Sequence, residues 1–103
     1  MTLRHLPASA SPEDVAAVVA EDGVAVIDRL VETRLLDQAH AELAAYIENT
    51  AFGPDDFAGR RTKRTGGLIV RSETCRDFIM NALVLGAVGK VLSKGTTFQL
   101  HLT

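Results

Sequence analysis

The chain has 103 residues, of which 47% are apolar and 23% charged, and its formal net charge is −2. This length allows one small domain at most, and the apolar fraction is typical of a globular chain and not of a disordered one. The single cysteine, Cys75, excludes an internal disulfide, and we expect it to be a buried structural thiol. The sequence shows neither a signal peptide nor an apolar run long enough to cross a membrane, which predicts a cytoplasmic protein with no membrane partner.

Charge is distributed unevenly along the chain. Residues 1–59 hold three Arg and eleven acidic residues, a net charge of −8, whereas residues 60–103 hold eight Lys and Arg and two acidic residues, a net charge of +6. We therefore expect the two halves to attract each other, or the second half to face an anionic ligand.

The first predicted element after a lead-in at residues 1–10 is a helix. Ser11 and Pro12 are the residue types favoured at the N-cap and at the first helical position. We expect this helix to run to about Glu21 and to end at Gly23, since glycine readily adopts the left-handed conformation that ends a helix.

A strand and a second helix complete the segment 11–50. The short β-branched run Val24–Asp28 predicts a strand. The helix from about Glu32 to Glu48 has one continuous apolar stripe, which predicts that it packs along one side. His40 falls next to this stripe, and we interpret it as a histidine at the edge of the core.

A basic loop follows at residues 51–66. It holds four cations within five residues, Arg60, Arg61, Lys63 and Arg64. A solvated surface loop and a loop that faces an anionic ligand are both compatible with this composition. Nucleic acid is the weakest of the three interpretations, because no aromatic residue is interleaved with the cations and the whole chain is acidic.

The remaining segment, 67–103, predicts a strand, two helices and a strand. We expect a strand at Gly67–Arg71, an N-cap at Ser72, a break between two short helices at Asn81 and a last strand at Thr96–Thr103. In the last strand, apolar and polar residues alternate. The two faces are Phe98, Leu100 and Leu102 against Gln99, His101 and Thr103.

Sequence motifs that carry chemistry by themselves are absent. The sequence has no glycine-rich phosphate loop, no His or Cys pair with metal-ligand spacing, and no recognisable set of nucleophile and base. Function therefore has to be inferred from longer segments.

Four segments, in order and with conserved spacing, resemble the N-terminal part of bacterial proteins of the phytanoyl-CoA dioxygenase family. They are AEDGVAVIDRLV, PDDFAGRRTKRTGGLIVRS, LVLGAVGKVL and FQLHLT, and the resemblance runs from about Pro12 to Thr103. The pairing of the second and fourth segments is the most specific part. The resemblance to this family implies an α+β fold in which N-terminal helices join the first strands of an incomplete double-stranded β-helix, or jelly-roll.

The resemblance also implies a reaction and a set of site residues. Members of the family are Fe(II)- and 2-oxoglutarate-dependent oxygenases, whose iron is held by two His and one carboxylate. The first two ligands belong to a His-x-Asp motif beyond the last strand, so His101, followed at the next-but-one position by Thr103, is not expected to bind iron. Gln99, His101 and Thr103 would face the co-substrate. The residues expected near the pocket entrance, where a substrate would bind, are Arg61, Lys63, Arg64 and Thr65.

On this interpretation, residues 1–103 are a single N-terminal fragment of an oxygenase domain. We expect the fragment to bind neither iron nor 2-oxoglutarate and to be inactive alone, with a small-molecule substrate for the complete enzyme, no nucleic acid partner, and association through unpaired strand edges. The alternative is a non-enzymatic module that binds an anion or a partner through residues 60–64.

Overall fold

Five helices and a two-stranded parallel sheet form the regular structure of the part of the chain that the computed structural model describes, residues 2–95 and 97–101. In chain order the elements are β1 (His5–Pro7), α1 (Pro12–Asp22), β2 (Val26–Asp28), α2 (Thr33–Glu48), α3 (Leu68–Arg71), α4 (Glu73–Ile79) and α5 (Ala82–Val91). The predicted α+β class is confirmed at this level.

The chain divides into two compact units, each described here by itself. The first is formed by the residues up to Glu32 together with Asp77–Gln99. The second is formed by Thr33–Arg76 with the last described residues, Leu100 and His101.

The first unit contains the sheet and the packed pair α1 and α5. Ser11 caps α1 as predicted: its Oγ accepts a hydrogen bond from the amide of Asp14, whose carboxylate accepts one from the amide of Ser11. Gly23 ends the helix with φ of 80°. Because Val15 and Val18 are buried on the inner face of α1, each contributes roughly 1.5 to 3 kcal/mol to the hydrophobic stabilisation.

Helix α5 begins where the sequence predicts a break. The Oδ1 atom of Asn81 accepts hydrogen bonds from the amides of Leu83 (3.0 Å) and Val84 (3.2 Å), so Asn81 is the N-cap. α1 and α5 approach closely at Gly86, where an added Cβ would lie 2.7 Å from Cγ of Pro12. The missing side chain of Gly86 therefore allows this close approach, and a larger residue would have to displace the Pro12 ring.

The second unit is built on α2, which buries Ala39 and Leu43. The predicted N-cap of α4 is also confirmed, since Oγ of Ser72 accepts a hydrogen bond from the amide of Cys75 at 3.0 Å. Two expectations in this unit are wrong in detail: His40 is exposed, and Cys75 is half-buried.

The strand predicted at Gly67–Arg71 is wrong: Leu68–Arg71 is a helical turn, α3. Gly67 has φ of 69°, and its carbonyl accepts the amides of Val70 and Arg71. The guanidinium of Arg76 then donates to the carbonyls of Ile69 (2.6 Å) and Val70 (3.2 Å). β-branched residues favour a strand only when a neighbouring strand pairs with them, and here the tertiary contacts stabilise a turn instead.

The other strands also differ from the prediction. The lead-in contains β1, which pairs in parallel with β2 in the register His5 to Val26 and Pro7 to Asp28. Residues 97–101 form no strand, while Thr96, Leu102 and Thr103 of the last predicted strand lie outside the described residues. The incomplete jelly-roll therefore stays a prediction.

Candidate functional site

The basic loop, residues 51–66, is closed at its base. Phe52 and Lys63 form an antiparallel bridge, and the amide of Gly53 donates to the carbonyl of Thr62 at 2.9 Å. A 16-residue connection closed in this way resembles a compact Ω-loop, a type of surface loop that is frequently functional.

Two glycines allow the loop to fold tightly. A Cβ added to Gly53 would lie 2.4 Å from the carbonyl oxygen of Gly59, and Gly59 itself has φ of 86°. Inside the loop, the amide of Gly59 donates to the carbonyl of Asp55 (2.9 Å) and the amide of Thr62 donates to the carbonyl of Gly59 (3.0 Å). The loop is therefore two successive turns that share Gly59.

Arg60 is paired within the loop. Its Nε donates to Oδ1 of Asp56 at 2.8 Å, four residues earlier. Both side chains are strongly exposed, so the pair contributes about 0 to 1 kcal/mol. Its main effect is to neutralise one of the four loop cations.

Lys63 binds the end of α2. Its Nζ donates to the carbonyls of Glu48 (3.2 Å) and Ile47 (3.4 Å), and it lies 5.0 Å from the ring centroid of Phe52. A cation at the C-terminus of a helix satisfies carbonyls that lack helical partners and interacts favourably with the helix dipole. Lys63 therefore anchors the base of the loop.

Arg64 and Thr65 are also engaged by the protein. The guanidinium of Arg64 donates to the carbonyl of Ala58 inside the loop. Thr65 shares a hydrogen bond of 2.7 Å with the hydroxyl of Thr50, which donates in turn to the carbonyl of Tyr46 at 2.6 Å. Both residues thus hold the loop in its conformation.

Arg61 differs from the other loop cations. It is exposed, and among the residues that the structure describes its side chain has no hydrogen-bond or ion-pair partner. Of the four residues predicted to bind substrate, Arg61 is therefore available to a ligand without breaking an internal contact.

The residues predicted to face the co-substrate lie in the final segment. Gln99 and His101 are exposed and belong to a stretch without regular structure, and Thr103 lies outside the described residues. Their predicted roles stay predictions.

Sequence reasoning missed the role of Glu42 of α2, whose carboxylate accepts three hydrogen bonds. Its carboxylate accepts from the amide of Thr74 (3.1 Å), from the Thr74 hydroxyl, and from Oγ of Ser72 (3.4 Å). Ser72 and Thr74 are 0% and 2% exposed. The hydrogen bond from the Thr74 hydroxyl, followed by that from its amide, lowers the pKa of Glu42. The sequence signal for this role was that Glu42 lies three residues after Ala39, and so on the same side of α2 as a buried residue.

Sequence reasoning also missed a pair formed by the sheet. Nδ1 of His5 lies 2.7 Å from Oδ1 of Asp28, and both side chains are about half exposed. They line an open cavity of about 750 Å³ with Arg29, whose φ of 54° is unusual for a residue other than glycine. The pair joins the first strand to the second.

The described residues do not fit an iron centre. Across residues 2–95 and 97–101, no three His, Cys, Asp or Glu side chains come close enough together to hold a metal ion. A facial triad needs two His and one carboxylate around one point. No step through iron is therefore assigned to these residues.

No helix in the same part of the chain combines the length and the apolar character required to cross a membrane.

Comparison with known proteins shows similarity to dioxygenases. No family model matches the chain. It is 26% identical over 96 residues to dioxygenase olcK of Penicillium canescens, covering 86% of this chain and 32% of that protein. It is 29% identical over 80 residues to dioxygenase swnH2 of Arthroderma benhamiae, covering 76% of this chain and 26% of that protein. The chain thus spans between a quarter and a third of the length of these relatives, and it is related to dioxygenases.

Proposed function

We propose that this chain is the N-terminal part of an Fe(II)- and 2-oxoglutarate-dependent oxygenase of the phytanoyl-CoA dioxygenase type, which hydroxylates a small organic substrate. The observation that supports the proposal is the similarity to two dioxygenases over 86% and 76% of the chain. The segments from AEDGVAVID to FQLHLT add the resemblance to this particular family.

In this proposal the described residues shape the substrate entrance and leave the metal chemistry to the rest of the oxygenase domain. When bound there, iron and 2-oxoglutarate would supply the oxidant. The basic loop would contribute a preformed surface, because its ends are fixed to α2 by Lys63 and Thr65 and its interior by Arg64. Preformed loops lose less conformational entropy when a ligand binds. Gln99, His101 and Thr103 would approach the co-substrate.

The alternative, a non-enzymatic module that binds through residues 60–64, has less support from the contacts. Lys63 and Arg64 donate to backbone carbonyls and Arg60 pairs with Asp56. A module that used all four cations for an external anion would have to break these contacts.

We expect the 103-residue chain to be inactive when it is supplied with Fe(II) and 2-oxoglutarate. The measurement is succinate release over time against a sample with the metal chelated. Succinate formation above that control would contradict the assignment of the metal chemistry to the rest of the domain. The same assay on a longer chain that includes the downstream region should show turnover, and no turnover there would contradict the oxygenase proposal.

A further inference from the structure

The basic loop presents two large apolar side chains to solvent, Phe52, which lies against Lys63, and Phe57. Phe57 is 98% exposed, the highest exposure among the large apolar residues of the described chain. A single exposed apolar residue is ordinary on a mobile segment, but this loop is closed at its base and constrained by Gly53 and Gly59. The phenyl ring of Phe57 is therefore held in water, and no ring or cation contact to it occurs among residues 2–95 and 97–101.

Arg61 is held near Phe57 by the two turns of the loop. Phe57 lies within the turn closed by Asp55 and Gly59, and Arg61 lies within the next turn, closed by Gly59 and Thr62. Four residues of chain span at most about 14 Å even when fully extended, and the shared Gly59 keeps the two turns adjacent. The two residues therefore lie in adjacent turns of one loop, no more than about 14 Å apart along the chain.

The other cations of the loop do not have this freedom. Arg60 is paired with Asp56, Lys63 binds the end of α2, and Arg64 binds the carbonyl of Ala58. A planar guanidinium without a protein partner is suited to bidentate binding of a carboxylate or phosphate. An exposed phenyl ring favours an apolar or aromatic group next to that anion.

We infer that Phe57 and Arg61 are the ligand-contacting pair of the basic loop, and that they select an oxyanion carried on an apolar group. The inference rests on the proposed function in that this loop borders the substrate entrance. It narrows the four expected substrate-binding residues to Arg61, adds Phe57, and assigns Lys63, Arg64 and Thr65 to the support of the loop.

The test is a set of NMR titrations of the 103-residue chain, without iron or 2-oxoglutarate, that follow the amide signals of the basic loop. Phenylacetate should shift these signals, acetate should bind more weakly because it lacks the ring, and phenethylammonium, with the same ring and the opposite charge, should not shift them. Benzyl phosphate in a fourth titration shows whether the anion preferred is a phosphate or a carboxylate. Equal binding of phenethylammonium and phenylacetate would overturn the inference.

Matched variants separate Arg61 from general positive charge. Arg61→Gln should weaken phenylacetate binding about tenfold, the loss expected for one charge-assisted contact. Arg60→Gln removes the same charge one residue earlier and should change affinity less than about twofold, because Arg60 is already paired. Equal losses in the two variants would overturn the assignment. Arg61→Lys, which keeps the charge, should give an intermediate affinity and serves as the test if Arg61→Gln is unstable.

Phe57→Ala should abolish the preference for phenylacetate over acetate, while Phe57→Leu should retain part of it. An unchanged preference in Phe57→Ala would remove Phe57 from the site.

These binding results are independent of the succinate assay. A negative titration leaves the oxygenase proposal intact, and an inactive longer chain leaves the loop as a binding site in its own right.

Discussion

Each compact unit is stabilised internally, and the kind of internal contact differs between the two units. In the first, α1 and α5 pack through apolar and small residues, with Val15, Val18 and Ala87 buried and Gly86 against Pro12. In the second, cations and one carboxylate bind backbone groups of other segments, as Lys63, Arg76 and Glu42 do. Apolar packing tolerates changes of polarity badly and charge-assisted contacts tolerate changes of geometry badly. Substitutions that alter shape or charge should therefore affect the two units differently.

The largest expected effect is that of Gly53→Ala in the second unit. The added Cβ would lie 2.4 Å from the carbonyl oxygen of Gly59, a backbone atom that cannot move without opening the loop. We expect a cost of about 3 kcal/mol in the free energy of loop closure. Hydrogen exchange of the amides at Gly59 and Thr62 should accelerate accordingly, while the amides of α1 and α5 keep their protection.

Ala51→Ser is the matched control for this change. Residue 51 is exposed and lies outside the bonds that close the loop, so exchange in the loop should stay within about twofold of that in the unaltered chain. Protected loop amides in Gly53→Ala would show that the loop accommodates the methyl group and is less constrained than its contacts indicate.

Substitutions of two glycines of α5, in the first unit, should have smaller effects that differ in sign from each other. Gly89 has nothing within 4 Å of an added Cβ, so Gly89→Ala should stabilise the protein by about 1 kcal/mol through helix propensity. Gly86→Ala gains the same propensity but places its Cβ 2.7 Å from the ring of Pro12, and we expect a net loss of about 1 kcal/mol.

Urea denaturation of the two alanine variants provides the comparison. Each serves as the control for the other, because both change the same residue type in one helix. If both variants gained stability, α1 and α5 would be able to move apart at Pro12 without cost.

Local signals explain which parts of this structure could be predicted. Ser11 and Ser72 are predicted as N-caps and Asn81 as a helix break, and all three cap helices through amides two or three residues away. Gly23 and the amphipathic α2 belong to the same class, since the residues that determine them lie within a few positions.

The features that escaped prediction depend on residues far apart in the chain. The contacts of Lys63 with Glu48, of His5 with Asp28 and of Glu42 with Thr74 join residues 15, 23 and 32 positions apart. The helical turn at 68–71 is likewise stabilised by Arg76, against the β-propensity of its own residues. The sequence shows four cations in the basic loop, but it does not show which of them have partners. The contacts of Arg60, Lys63 and Arg64 leave Arg61 as the available cation among the described residues of the loop.

The smallest expected effect is a dependence of stability on pH that originates from Glu42. Its folded-state pKa is lowered from the ordinary value of 4.5, chiefly by the Thr74 hydroxyl and amide. A lowered pKa in the folded state stabilises the protein above the unfolded-state pKa, and this contribution disappears as the pH falls below 4.5 and through the folded-state value. Glu42→Gln keeps an acceptor for the Thr74 amide, so it should lower the free energy of unfolding only slightly near neutral pH. The part of the loss of stability on acidification that is due to Glu42 should be absent in this variant. Denaturation of both proteins between pH 3 and pH 7, with the exposed Glu48→Gln on the same helix as a charge control, measures the difference. If Glu42→Gln and the unaltered chain lost stability in parallel on acidification, the carboxylate would not be the group that holds the α4 terminus, and the second unit would depend less on charge than its contacts imply.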